Sequence, residues 1–109
     1  EGGVIIGTPL KGGVLIVDDV ISAGTSVNES VNLILEEGAK PSGIAISIDR
    51  EEKGTGLLSA VEEIKETHHL PICHLTSLQE IMRYIEHHET YASHINAMRD
   101  YQKVYGIKA

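Results

Sequence analysis

The chain has 109 residues, 41% hydrophobic and 23% charged, which suits one globular piece with a buried core and leaves no room for a second domain. Its net charge of -7 argues against a nucleic-acid or anionic-membrane surface, and no apolar run approaches the roughly 20 residues that span a bilayer. The single cysteine, Cys73, rules out an internal disulfide framework, and with no basic-then-apolar leader in view a reducing, cytoplasmic address is expected.

In chain order, Glu1-Gly2-Gly3 runs at once into an apolar stretch without a methionine, so a fragment of a longer polypeptide is expected. Val4 to Gly7 is predicted as a short strand, turning through Thr8-Pro9 and Lys11-Gly12-Gly13 into a second strand from Val14 to Val17. Val27, Val31, Ile34 and Leu35 recur at helical spacing, Ser26 and Glu29 have the pattern of a capping box, and Gly38 closes that helix. After a turn at Pro41, Gly43 to Asp49 is β-rich, so a strand-helix-strand unit with parallel strands is predicted.

The cycle repeats with a helix from Leu58 to His68, capped by Ser59 with Glu62, and a strand from Pro71 to Thr76. Cys73 in that apolar run reads as a small core residue. Ser77 with Glu80 caps a third helix striped by Leu78, Ile81, Met82 and Ile85. A fourth runs from Thr90 to Tyr105 and carries Tyr91, Ile95 and Met98, and Gly106 ends it. The alternation predicts an α/β fold with a mainly parallel sheet flanked by helices, and such sheets bind ligands beyond the carboxyl ends of their strands.

Chemistry concentrates between Val14 and Ser26, where four apolar residues lead into Asp18 and Asp19 and then a small-residue loop. A buried strand explains Val14 to Val17 but not two adjacent carboxylates, which belong at the strand's end facing solvent or ligand. Ala23, Gly24, Thr25 and Ser26 let backbone approach an anion, with the free N–H groups of a helix start directly behind. Sugar hydroxyls can meet the carboxylates while a phosphate meets the loop.

This stretch resembles the 5-phosphoribosyl-1-diphosphate (PRPP) binding motif of the type I phosphoribosyltransferases. With Ser47-Ile-Asp-Arg-Glu-Glu-Lys-Gly54 and the opening Glu1-Gly-Gly-Val-Ile-Ile-Gly7, the resemblance narrows to the bacterial orotate phosphoribosyltransferases and continues through the last helix. It implies the type I phosphoribosyltransferase fold, with residues 1–109 as the C-terminal part of a single domain lacking its N-terminal half. The implied activity is Mg²⁺-dependent transfer of phosphoribosyl from PRPP to orotate in de novo pyrimidine synthesis, by a homodimer. Asp18 and Asp19 then act on the ribose hydroxyls and the charge developing on the sugar, as the catalytic pair. Val20, Ile21, Ser22, Ala23, Gly24, Thr25 and Ser26 complete the PRPP site around the 5'-phosphate. Ser22 and Arg50 contact orotate, and Mg²⁺ is held mainly by PRPP and water rather than by protein ligands.

Other readings stay beside this one. Adjacent aspartates after a strand also open phospho-receiver domains, with Asp49 as acceptor, although a receiver needs no glycine-threonine cradle. A solvated strand end with a simple helix cap accounts for the acids alone. Arg50 could simply pair with Glu51 or Glu52. The six histidines read as surface groups, the pairs His68-His69 and His87-His88 at helix ends, and Glu62, Glu63 and Glu66 as a solvated helix face. A purine-base transferase or a PRPP-sensing regulatory module would share the loop.

Overall fold

Residues 5–21 and 24–107 are described by a computed structural model. Strands and helices alternate as β1 (Gly13–Asp18), α1 (Thr25–Glu36), β2 (Lys40–Asp49), α2 (Ala60–His68), β3 (Ile72–Ser77) and α3 (Leu78–Glu86). A 3₁₀ turn at Ala92–His94 then leads into α4 (Ile95–Tyr105). The three strands form one parallel sheet in the order β1-β2-β3. This is the expected α/β arrangement, with every strand running the same way, Asp18 opposite Ile46 and Asp49 opposite Ser77.

Register decides which residues make the core. In-register partners on parallel strands share a face, so Ile16, Ile44 and Ile72 line up, with Ile46 two positions along. Ile16, Ile44 and Ile46 are buried on that face against Val27, Val31 and Ile34 of α1 and Val61 and Ile64 of α2. Ile44 and Val27 are the most completely enclosed, each contributing about 2 kcal/mol by removal from water. The alternate residues Leu15, Val17 and Leu75 lie on the opposite face and are 55%, 75% and 86% exposed.

That second face overturns one expectation. Cys73 pairs with Ala45 on the side of Leu15 and Val17 and is exposed, because no described helix covers it. Other differences are local. Ile5 to Gly7 is not a strand, since no described strand pairs with it, and Ile6 stands 98% exposed; Val4 lies outside the described residues. Pro41 sits inside β2, not in a turn before it, where an irregularity between Val14 and Leu15 absorbs the extra residue. Leu35 is 56% exposed at the rim of the α1 stripe.

Capping was read well in two helices and wrongly in one. Ser59 accepts the Glu62 N–H at 3.1 Å and Ser77 accepts the Glu80 N–H at 3.2 Å. At α1 the helix begins earlier than the Ser26–Glu29 box requires, so Gly24 is the cap residue and Ser26 already lies within the first turn. Gly38 does end α1, in a left-handed conformation (φ 81°), with its N–H on Leu35 and the Ala39 N–H on Ile34. The fourth helix divides into the 3₁₀ turn and α4, and Gly106 leaves it in extended backbone.

Candidate functional site

β1 ends on Asp18, and the chain turns there because each aspartate accepts the next backbone N–H. Asp18 Oδ1 accepts from Asp19 N at 2.8 Å and Asp19 Oδ1 from Val20 N at 2.7 Å. These bonds orient both carboxylates without burying them, as the carboxyl end of a strand allows. The Val20 N–H, then the Asp18 side chain and more distantly the Arg50 guanidinium hold the Asp19 carboxyl below the usual carboxylate range. Asp19 is therefore ionised at neutral pH.

Behind the acids, Gly24 adopts φ 75° and ψ 0°, a left-handed conformation open to glycine at little cost. A Cβ there would lie 2.5 Å from Ile64 Cδ1, so both the backbone angle and the approach to α2 call for glycine. The Gly24 carbonyl accepts from Asn28 N at 2.9 Å, and no side chain of the cap residue covers the helix start. The first-turn N–H groups therefore lack intrahelical acceptors and face outward. Ser26 Oγ donates instead to Asp18 Oδ2 at 3.3 Å, tying the helix start to the acid pair.

Together these residues line a cleft of about 360 Å³: Asp18, Asp19, Val20, Ile21, Gly24, Thr25, Ser26 and Val27. It carries carboxylates on one wall and a helix N-terminus on the other, the pairing needed for a sugar hydroxyl beside a phosphate. Ser22 and Ala23 fall outside the described residues. The remaining expected members of the PRPP loop meet in one place.

Arg50 follows the end of β2 and is not among the residues lining this cleft, although its charge is felt at Asp19. The Asp19 carbonyl accepts from Ser47 N at 2.9 Å and Ile48 N at 3.2 Å, which laces the acid turn to the end of β2 just before Arg50. The alternative pairing of Arg50 is also present, since its Nε lies 3.4 Å from Glu52 Oε1. Glu52 in turn accepts from the Tyr101 hydroxyl of α4. Sequence reasoning missed Tyr101, because 49 positions separate the partners and only folding brings them together.

Glu63 is another correction. It does not belong to a solvated face: its Oε2 accepts from Thr55 N at 2.7 Å, Thr55 Oγ1 at 3.0 Å and Gly56 N at 2.9 Å. A Cβ on Gly54 would lie 2.2 Å from that carboxyl, and this close approach was the only sequence-level hint, a Gly-Thr-Gly run. The paired histidines do sit at helix ends, with His68 closing α2 before His69 and His87 following α3, whereas His74 stands within β3, 3.6 Å from Glu80 Oε1.

The donors at the cleft suit a divalent cation. Among the described residues no three His, Cys, Asp or Glu groups converge, while Asp18 and Asp19 put two hard oxygen donors at the cleft. One or two carboxylates completed by substrate phosphate and water is the donor set Mg²⁺ prefers, so the residues fit it.

Comparison with known proteins agrees with this geometry. The model of the phosphoribosyl transferase domain matches residues 8–67. The chain is 50% identical over 107 residues to an orotate phosphoribosyltransferase of Chromobacterium violaceum, covering 98% of this chain and 50% of that protein. It is 49% identical over 108 residues to one from Neisseria gonorrhoeae, covering 99% and 51%. The crystal structure of orotate phosphoribosyltransferase from Francisella tularensis superimposes with a TM-score of 0.73 at 33% identity, over 93% of this chain and 48% of that one. The chain thus spans about half the length of the curated relatives it matches. A strand-end acid pair opening onto a glycine-started helix, on a parallel sheet that superimposes on such an enzyme, means that the chain belongs to the phosphoribosyl transferase domain family.

Proposed function

We propose that residues 1–109 form the C-terminal part of a single phosphoribosyltransferase domain that moves the phosphoribosyl group of PRPP onto orotate, giving orotidine 5'-monophosphate and pyrophosphate in pyrimidine synthesis. One observation carries the reading: the cleft from Asp18 to Val27 joins two adjacent carboxylates to a helix start, with the end of β2, just before Arg50, hydrogen-bonded to the acid turn. Asp18 and Asp19 hold the ribose hydroxyls and oppose the positive charge the sugar gains as pyrophosphate leaves. The turn from Val20 to Ser26, including Ser22 and Ala23, takes the 5'-phosphate on backbone N–H groups and hydroxyls.

Arg50 offers a planar fork to orotate's carboxylate and carbonyl oxygens, and Ser22 adds a hydroxyl. Mg²⁺, held by substrate oxygens and water with Asp18 and Asp19 nearby, supplies charge neutralisation at the leaving pyrophosphate. No protein nucleophile is required, since positioning and electrostatics suffice. The high identity to orotate enzymes favours orotate over a purine base. A cytoplasmic homodimer is the assembly we infer; among the described residues no helix is long and apolar enough to cross a membrane.

The test is loss of orotate absorbance with PRPP and Mg²⁺, using the complete native polypeptide that contains these residues. Replacing Asp18→Asn together with Asp19→Asn should lower kcat about 100-fold or more, through lost charge at the transition state. Arg50→Ala should weaken orotate by about 2–4 kcal/mol and leave PRPP affinity near its native value. Turnover of adenine or hypoxanthine instead would reject orotate as substrate, and PRPP binding without turnover of any base would favour the sensing module.

A further inference from the structure

The loop that carries Arg50 is fastened from outside the sheet. Glu51 holds a left-handed backbone (φ 55°) in which its N–H donates to Asp49 Oδ1 at 2.9 Å, its carbonyl accepts from Ile107 N at 2.9 Å, and its Oε1 accepts from Gln79 N at 3.0 Å. Lys53 N donates to the Tyr105 carbonyl at 2.8 Å, and Glu52 bridges Gly106. The end of α4 is thereby sewn along residues 51–53. A backbone kept in an uncommon conformation by several independent contacts marks a position whose geometry is over-determined.

The side chains continue the pattern. A single oxygen of Glu52, Oε1, accepts the Tyr101 hydroxyl and faces Arg50 Nε at 3.4 Å. The Glu52 side chain is 16% exposed and that of Arg50 34%, so the carboxylate is the more enclosed partner. A carboxylate able to rotate would take an arginine end-on through both terminal nitrogens, competing with an anionic ligand. Fixed by the tyrosine, it meets the guanidinium from the Nε edge.

We propose that Tyr101 and Glu52 are positioning residues that aim the Arg50 guanidinium at the base, so that α4, which lines none of the phosphate cleft, governs recognition of orotate. The hydroxyl stays protonated for the purpose, since the Glu52 carboxylate and burial both push it above its ordinary value. The proposal rests on Arg50 being the base-binding residue, and the experiment separates the two.

In the complete native polypeptide, KM for orotate and KM for PRPP are measured for Tyr101→Phe, Arg50→Ala and the double variant, with a thermal melt of each. Tyr101→Phe should raise KM for orotate about 5- to 10-fold and move KM for PRPP less than about 2-fold, and it should add nothing in the Arg50→Ala background. Equal changes in both KM values, or an undiminished effect without Arg50, would overturn the relay and leave Arg50 its role. If Arg50→Ala alone leaves KM for orotate unchanged, the base-binding reading of Arg50 falls and the relay with it. Should Tyr101→Phe not fold, Glu52→Gln keeps an acceptor for the tyrosine while removing the charge, and the same split is expected of it.

Discussion

The Glu63 carboxylate gathers two backbone N–H groups and a hydroxyl from Thr55 and Gly56, and those bonds hold it below the usual carboxylate range. Because the folded value is depressed, the clamp's contribution is fully present above the unfolded value of about 4.3 and is lost as pH falls through the lower folded one. Amide exchange should therefore show Thr55 and Gly56 protected at neutral pH and less so in acid, whereas Glu63→Ala, which leaves no acceptor, should expose both amides at every pH. Exchange at these amides that ignores pH would mean that the loop is held by something else. The placement of Asp18, Asp19 and Arg50 at strand ends was legible in the sequence, because each lies where an apolar run stops. Glu63 and Tyr101 were not, since their partners are chosen by packing between distant segments.

At the scale of an element, α1 turns on Gly24. Gly24→Ala should cost roughly 1–2 kcal/mol for the left-handed backbone alone, and more while Ile64 Cδ1 occupies the space a Cβ needs. Shortening that neighbour with Ile64→Val should recover part of the second loss but none of the first, so thermal melts of the two single variants and the double should not add. The serines show where capping can be read from sequence. Ser59 and Ser77 stand immediately before their helices and cap them, while Ser26 lies one turn position inside α1 and bonds Asp18 instead. Pattern places such a residue near a helix start; only the backbone says on which side of it.

For the whole molecule the sheet is the deciding object. Parallel sheets are normally covered on both faces, and here one face carries Leu15, Val17, Cys73 and Leu75 toward solvent. As an isolated 109-residue chain the protein should bind an apolar dye and self-associate with rising concentration in light scattering. Leu75→Lys, at a side chain 86% exposed, should reduce that association while changing stability by no more than about 0.5 kcal/mol. Undiminished association would place the contact elsewhere. The alternation of strands and helices, and the direction of the strands, were readable from hydrophobic period. The bare face was not, because a buried and an exposed side of a parallel strand are both written in Val, Leu and Ile.

β2 is paired on both sides, and β1 on one among the described residues. The site is therefore built across two neighbouring strands: the acid pair closes β1, and Arg50 follows β2, whose Ser47 and Ile48 amides bond the Asp19 carbonyl. Loosening β2 should disturb both charged ends of the site at once, because the same few residues hold the acid turn in place and lead the chain into Arg50.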